Sequence, residues 1–119
     1  MKVFVYYNLH RNLFSVKALE GEHKGRVIAH RDLVVLTDAV FKVSAAGRAR
    51  VLQEQRKNVH AGVQGHWSPG WAIPQGQEPT RVTYNPYVYS SFVQAESKEP
   101  VHQARQVLLQ GRSIWALLA

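Results

Sequence analysis

Six histidines are the first residues to weigh for chemistry, because imidazole serves as metal ligand, general base and general acid. No two of them stand as His-x-x-x-His, no carboxylate lies close to a pair of them, and the chain has no cysteine. A metal centre is therefore not expected. His30 is followed by Arg-Asp, His60 by Ala-Gly and His102 by Gln-Ala, so the paired His-x-Ser/Thr pattern of a phosphoesterase is missing. There is no Gly-x-Ser-x-Gly elbow, no Gly-rich phosphate loop and no thiol nucleophile. With only eight carboxylates, paired Asp or Glu catalysis is poorly supported. An acid/base ribonuclease assembled from Lys57, His60 and His102 would need those residues to converge in space. The expectation is a protein that is not an enzyme and carries no cofactor.

Binding chemistry is better supplied. The stretch Arg81-Val82-Thr83-Tyr84-Asn85-Pro86-Tyr87-Val88-Tyr89-Ser90-Ser91-Phe92 sets three tyrosines, a phenylalanine and an arginine around one Asn-Pro step. Proline removes a ladder donor and pushes the preceding residue toward extended geometry, so a strand through Tyr84 is expected to bend or become an edge. Tyr84, Tyr87 and Phe92 can stack on a flat heteroaromatic ring, while the Asn85 carboxamide offers a donor and an acceptor to its rim. Set against this, alternating aromatics in a strand ordinarily divide between core and surface. Cations recur beside residues with permissive backbones, in Lys24-Gly25-Arg26, Arg56-Lys57-Asn58 and Gly111-Arg112. Each can present a guanidinium and nearby amides to a phosphate, and each equally fits a solvated turn.

Charge points the same way. Lys and Arg number 15 against 8 Asp and Glu, giving a net charge of +7, which favours an anionic partner unless it serves solubility alone. Nine of the fifteen cations are Arg, whose planar fork matches phosphate, so phosphates are favoured over a lipid surface. The absence of Cys excludes a disulfide framework. Residues 1–7 are too few for a signal core and no apolar run reaches membrane-spanning length, so a cytoplasmic protein is expected.

The elements that must position these groups are mostly strands, and 119 residues fit one domain, 1–119. Lys2 to Tyr7 and Leu13 to Leu19, separated by a polar break at Asn8 to Asn12, predict an antiparallel hairpin. After a charged turn at Glu20 to Gly25 come strands at Arg26 to His30, Leu33 to Leu36 and Val40 to Val43. Ser44 is a candidate N-cap for one helix, about Ala45 to Lys57, with an apolar stripe of Ala45, Ala49, Val51 and Leu52 and a slight weakening at Gly47. Asn58 to Val63 predicts a strand, in which Gly62 and Gly65 mark a bulge or a close backbone approach. Trp67 to Thr80 reads as a long loop (67–80) holding three of the five prolines. Arg81 to Phe92 is then a bent strand, Gln94 to Pro100 a turn, Val101 to Gln110 a strand or short helix, and Ser113 to Leu117 the last strand. The fold class expected is α+β, mainly antiparallel β, as a strongly curved sheet or small barrel with one short helix. The apolar end Ile114 to Ala119 carries no charge to blunt an edge, which predicts oligomerisation.

The runs Val5-Tyr6-Tyr7-Asn8-Leu9-His10, Lys24-Gly25-Arg26-Val27-Ile28, Phe41 to Leu52, Arg56-Lys57-Asn58-Val59-His60-Ala61 and Val82-Thr83-Tyr84-Asn85-Pro86-Tyr87 resemble a family of small phage and prophage proteins. They are similar to the first described class of Thoeris anti-defence proteins, over most of the chain except the 67–80 loop. The resemblance implies a sponge that binds a cyclic ADP-ribose isomer and holds it intact, that in some members also holds cyclic oligonucleotide signals, and that assembles from several subunits. It places Tyr84, Asn85, Tyr87 and Phe92 at the base-binding strand and Arg105 and Arg112 where phosphate-binding arginines would lie, with Arg26 and Arg56 in other basic blocks. The rival expectation is a small β-barrel that binds single-stranded nucleic acid through the same rings and arginines. A third, an interaction protein that inhibits a host enzyme, draws on an exposed Trp67 and Trp71.

Overall fold

A computed structural model describes residues 1–56, 59–71, 73 and 75–118. In it the chain runs β1 (Lys2–Asn8), β2 (Leu13–Ala18), β3 (Val27–Arg31), β4 (Leu33–Val43), α1 (Ala45–Glu54), β5 (Ala61–Ser68), β6 (Thr80–Thr83), β7 (Val93–Gln94), β8 (Gln103–Gln110) and β9 (Ser113–Leu117). All nine strands join one antiparallel sheet in the order β3-β2-β1-β5-β4-β8-β9-β6-β7. The mainly antiparallel sheet with one short helix is thus as expected. The ladder does not close, however: β3 and β7 are its two ends, so the hydrogen bonding is that of an open sheet and not of a barrel.

Strand alternation puts one apolar face to work across the whole order. Val5 faces Val16 on β2 and Val63 on β5, Val63 faces Phe41 on β4, Leu36 faces Val107 on β8, and Leu109 and Val82 both face Ile114 on β9. All belong to or pack against a single buried cluster that also takes in Phe14, Phe92 and Ala116. Burying a side chain of this size is worth roughly 1.5–3 kcal/mol, so this face is the principal source of stability.

Several boundaries differ from expectation for local physical reasons. The two short strands expected at Leu33 to Leu36 and Val40 to Val43 are one strand, β4, because a bulge carries the ladder through: the register shifts between Thr37 and Val40, and Asp38 takes a left-handed φ of 48°. β5 starts at Ala61 and continues to Ser68, so Trp67 belongs to a strand and not to the loop. Trp67 is half-buried against the core with the Arg31 guanidinium 5.9 Å from its ring centroid, and Trp71 is half-buried too, which removes the exposed tryptophan pair expected as a docking surface. The C-terminal strand, expected at an edge, is internal: β9 is paired by β8 on one side and β6 on the other. One end of the sheet is instead β3, where Val27 and Ile28 are exposed.

Helix α1 begins as expected, with the Ser44 hydroxyl accepting from Gly47 N, and ends at Glu54 with Gln55 in the left-handed region; Lys57, the expected last residue, lies outside the described residues. Its packing face differs from the expected stripe. Gly47 and Val51 are buried, while Ala45, Ala49 and Leu52 are exposed. Packing, not helix propensity, chose glycine: a Cβ on residue 47 would stand 2.6 Å from the Cβ of His60. Gly62 permits a similar approach on the sheet, where a Cβ would meet Val5 O and the Phe4 ring at 2.5 Å.

Candidate functional site

β6 ends at Thr83, and the residues expected to continue as a bent strand form a turn. The cause is Asn85. Its Oδ1 accepts from Tyr87 N at 3.0 Å, and its backbone carbonyl accepts from Val88 N and Tyr89 N, so the side chain initiates a turn that Pro86 then favours. Helix α1 holds the turn from outside: Arg48 Nε donates to both Pro86 O and Tyr89 O at 2.9 Å. Between helix and turn stands His60, whose Nε2 lies 2.7 Å from the Tyr84 hydroxyl, with the rings edge-on at 5.5 Å.

These contacts make one wall of a hollow of about 580 Å³, whose other wall is the end of β1 and the following turn. Its character is set by Tyr6, Tyr7, His10, His60, Tyr84 and Pro86. The volume falls within the range of small-molecule sites. A neighbouring hollow of about 230 Å³ shares Tyr6, Tyr7, Ala61 and Tyr84 with it and adds Phe92 and Arg112. Tyr7 is fixed edge-on to Phe14 at 5.3 Å, and the Arg112 guanidinium lies 5.3 Å from the Tyr7 ring centroid. Burial raises the Tyr84 phenol above the ordinary tyrosine value, an effect the positive Arg48 opposes; Tyr84 is therefore neutral near pH 7 and keeps a hydrogen to donate.

A second polar chain positions the far rim. Asn8 Oδ1 accepts from His10 N and Arg11 N, so its amide nitrogen is left to donate to the Ser15 hydroxyl at 3.2 Å, and fully buried Ser15 lies 3.0 Å from His30 Nδ1. The turn that carries His10 is thereby tied to the edge strand.

Of the eight residues singled out from sequence, the structure brings Tyr84, Phe92 and Arg112 together around the two hollows. Phe92 does so as a core residue, packed on Phe41 and Tyr84 at 5.1 and 5.0 Å. Asn85 is engaged in its own turn and Tyr87 is 61% exposed beyond it. Arg105 lies elsewhere, on the exposed side of β8, hydrogen-bonded to Gln77 Oε1. Arg26, in the turn before β3, and Arg56, after the helix, are exposed and line neither hollow. Of the acid/base trio, Lys57 lies outside the described residues, and His102 lines a different hollow from His60. Among the described residues no cluster of three or more metal-ligating groups occurs, and no helix is long and apolar enough to cross a membrane.

Sequence reasoning passed over Tyr6, Tyr7 and His10 as site residues. The available signal was their position: two adjacent tyrosines close a strand and a polar turn follows at once, so both faces of the strand end are presented to whatever packs there.

Comparison with known proteins shows the lineage. The family model described as Mycobacterium phage L5 gene 82 protein matches residues 1–117. The Gene 82 protein of Mycobacterium phage L5 is 40% identical over 122 residues, covering 98% of this chain and 95% of that protein. No solved structure matches. The phage-protein part of the resemblance is thus shown, and the chain belongs to the Mycobacterium phage L5 gene 82 protein family.

Proposed function

We propose that this protein is an anti-defence sponge, which binds a cyclic ADP-ribose-type immune signal, or a cyclic oligonucleotide of similar chemistry, and sequesters it without cleavage. The observation that carries the reading is the tyrosine-walled groove joined at Tyr7 and Tyr84 to a smaller hollow that holds Arg112. Tyrosine faces suit an adenine ring, and a guanidinium beside them suits a phosphate. The block resemblance to the Thoeris anti-defence class supplies the identity of the signal, and the net charge of +7 suits an anionic ligand. A strongly curved sheet wrapped around the groove, assembly into a homo-oligomer, and action in the cytoplasm of an infected host cell belong to the same reading.

Native mass spectrometry of the protein purified from cells with an active Thoeris sensor tests it. A retained small ligand that is released unchanged on heating is the expected result. Recovery of a hydrolysed product would replace the sponge with a phosphodiester hydrolase acting at His60 and Tyr84. Retention of nucleic acid, with affinity falling steeply as salt rises, would favour the strand-binding reading, since a pocket contacting one or two phosphates responds far less to salt.

A further inference from the structure

Given that the groove is a nucleotide site, as proposed above, its charged groups decide which part of the ligand it holds and under what conditions. Among the described residues that line the large hollow there is no carboxylate, no lysine and no arginine; its ionisable side chains are Tyr6, Tyr7 and Tyr84, with His10 and His60. His10 is presented from the turn after β1, its backbone fixed by Asn8 Oδ1 at 3.0 Å. His60 is presented from the entry to β5 and is bonded to the Tyr84 hydroxyl at 2.7 Å.

Among the described residues, the charged groups near this set are cations that keep their charge at every ordinary pH. Arg48 of α1 is spent on the carbonyls of Pro86 and Tyr89, Arg112 of the β8–β9 turn lies over Tyr7, and Arg11 follows His10 in the exposed turn. From β2, Ser15 accepts from Asn8, and from β3, His30 meets Ser15, but neither lines the hollow. Imidazole is the side chain that gains charge between pH 5 and 8. Among the described residues that line the large hollow, the two histidines are therefore the groups that can become cationic toward an entering phosphate.

We propose that His10 and the His60–Tyr84 pair are the anion-binding groups of the tyrosine groove, His10 donating as imidazolium to a ligand phosphate and the pair presenting the Tyr84 hydroxyl to it, so that the protein retains phosphorylated nucleotides more tightly as the pH falls. In the pair, a charged His60 donates Nε2–H to the Tyr84 oxygen, which turns the phenol hydrogen outward to a further acceptor. Both changes favour an anionic ligand and leave a neutral nucleoside indifferent.

Calorimetric titration at pH 5.5, 6.5 and 7.5 and constant ionic strength, with ADP-ribose, cyclic ADP-ribose and adenosine as probes, tests this. The pyrophosphate stays ionised over that range, so a change in its affinity reports the protein. The expected result is roughly tenfold tighter binding of the pyrophosphate probes at pH 5.5 than at 7.5, as a charge-assisted hydrogen bond provides, with no change for adenosine. His10→Gln, on an exposed turn, should remove part of the response and His10→Gln with His60→Gln the rest, while His30→Gln retains it. Pyrophosphate affinity that is flat with pH, or a pH response undiminished in His10→Gln, would overturn the histidine assignment and leave the nucleotide site standing. Failure of all three probes to bind at any pH would overturn the nucleotide reading itself.

Discussion

His60 Nε2 and the Tyr84 hydroxyl stand 2.7 Å apart, joining the entry of β5 to the end of β6, two strands separated by three others in the sheet order. Because burial raises the Tyr84 pKa above 10.0, the folded state holds the phenol proton more tightly than the unfolded chain does. The stability linked to this group is complete below pH 10.0 and is lost as the pH rises through the folded-state value. Denaturant titrations at pH 8 and pH 10.5 should show an alkaline loss that Tyr84→Phe diminishes. At pH 8, Tyr84→Phe should cost about 0.5–1.5 kcal/mol for the hydrogen bond. An alkaline limb equal in both proteins would refute the assignment.

Stacking and hydrogen bonding separate in a second substitution. Tyr84→Ala removes the ring and should weaken an adenine-containing ligand by about 1–3 kcal/mol beyond any loss of stability, whereas Tyr84→Phe keeps most of that affinity. Equal affinities for all three proteins would mean that Tyr84 is packing only.

Arg48 is a positioning residue for the groove wall. Replacing it with Met keeps the aliphatic stem but leaves Pro86 O and Tyr89 O without their donor, and should cost about 1–3 kcal/mol. Arg48→Lys has no Nε donor and carries its ammonium at a different place on the side chain, so it should rescue only partly. Ligand affinity measured on the folded fraction should fall in step, because the Pro86 side of the groove is no longer held.

Gly47→Ala would stabilise an exposed helix by up to about 1 kcal/mol, yet here the sign is expected to reverse. The new methyl would stand 2.6 Å from the His60 Cβ, so helix or histidine must shift, at a cost of about 1–3 kcal/mol. A raised melting temperature for Gly47→Ala would show that the helix can move without disturbing His60.

The two arginines of the C-terminal hairpin should separate cleanly. Arg112→Lys removes the planar fork that lies over Tyr7 and should weaken phosphate-bearing ligands, while Arg105→Lys, on a residue bonded to Gln77 away from both hollows, should leave binding unchanged. Loss of binding in Arg105→Lys would move the site to the other side of β8.

Local rules sufficed for most elements of this protein. Period-2 alternation in Lys2 to Tyr7, Leu13 to Leu19 and Ser113 to Leu117, together with the Ser44 cap, determined strands and helix start from neighbours in sequence alone. Excess arginine and the ring-rich Tyr84 segment likewise announced a candidate site without a fold. Strand order was not legible, since pairing β4 with β8 or burying β9 between β8 and β6 depends on contacts between distant segments. The same reason hid the site. Tyr7, His60, Tyr84 and Arg112 come from four parts of the chain, and only the sheet's non-local pairing sets them around two adjoining hollows. Asn85 illustrates the limit from the other side: its sequence context fits a base reader and a turn former equally, and tertiary structure decided for the turn because Arg48, 37 positions earlier, supplies the donor that holds it.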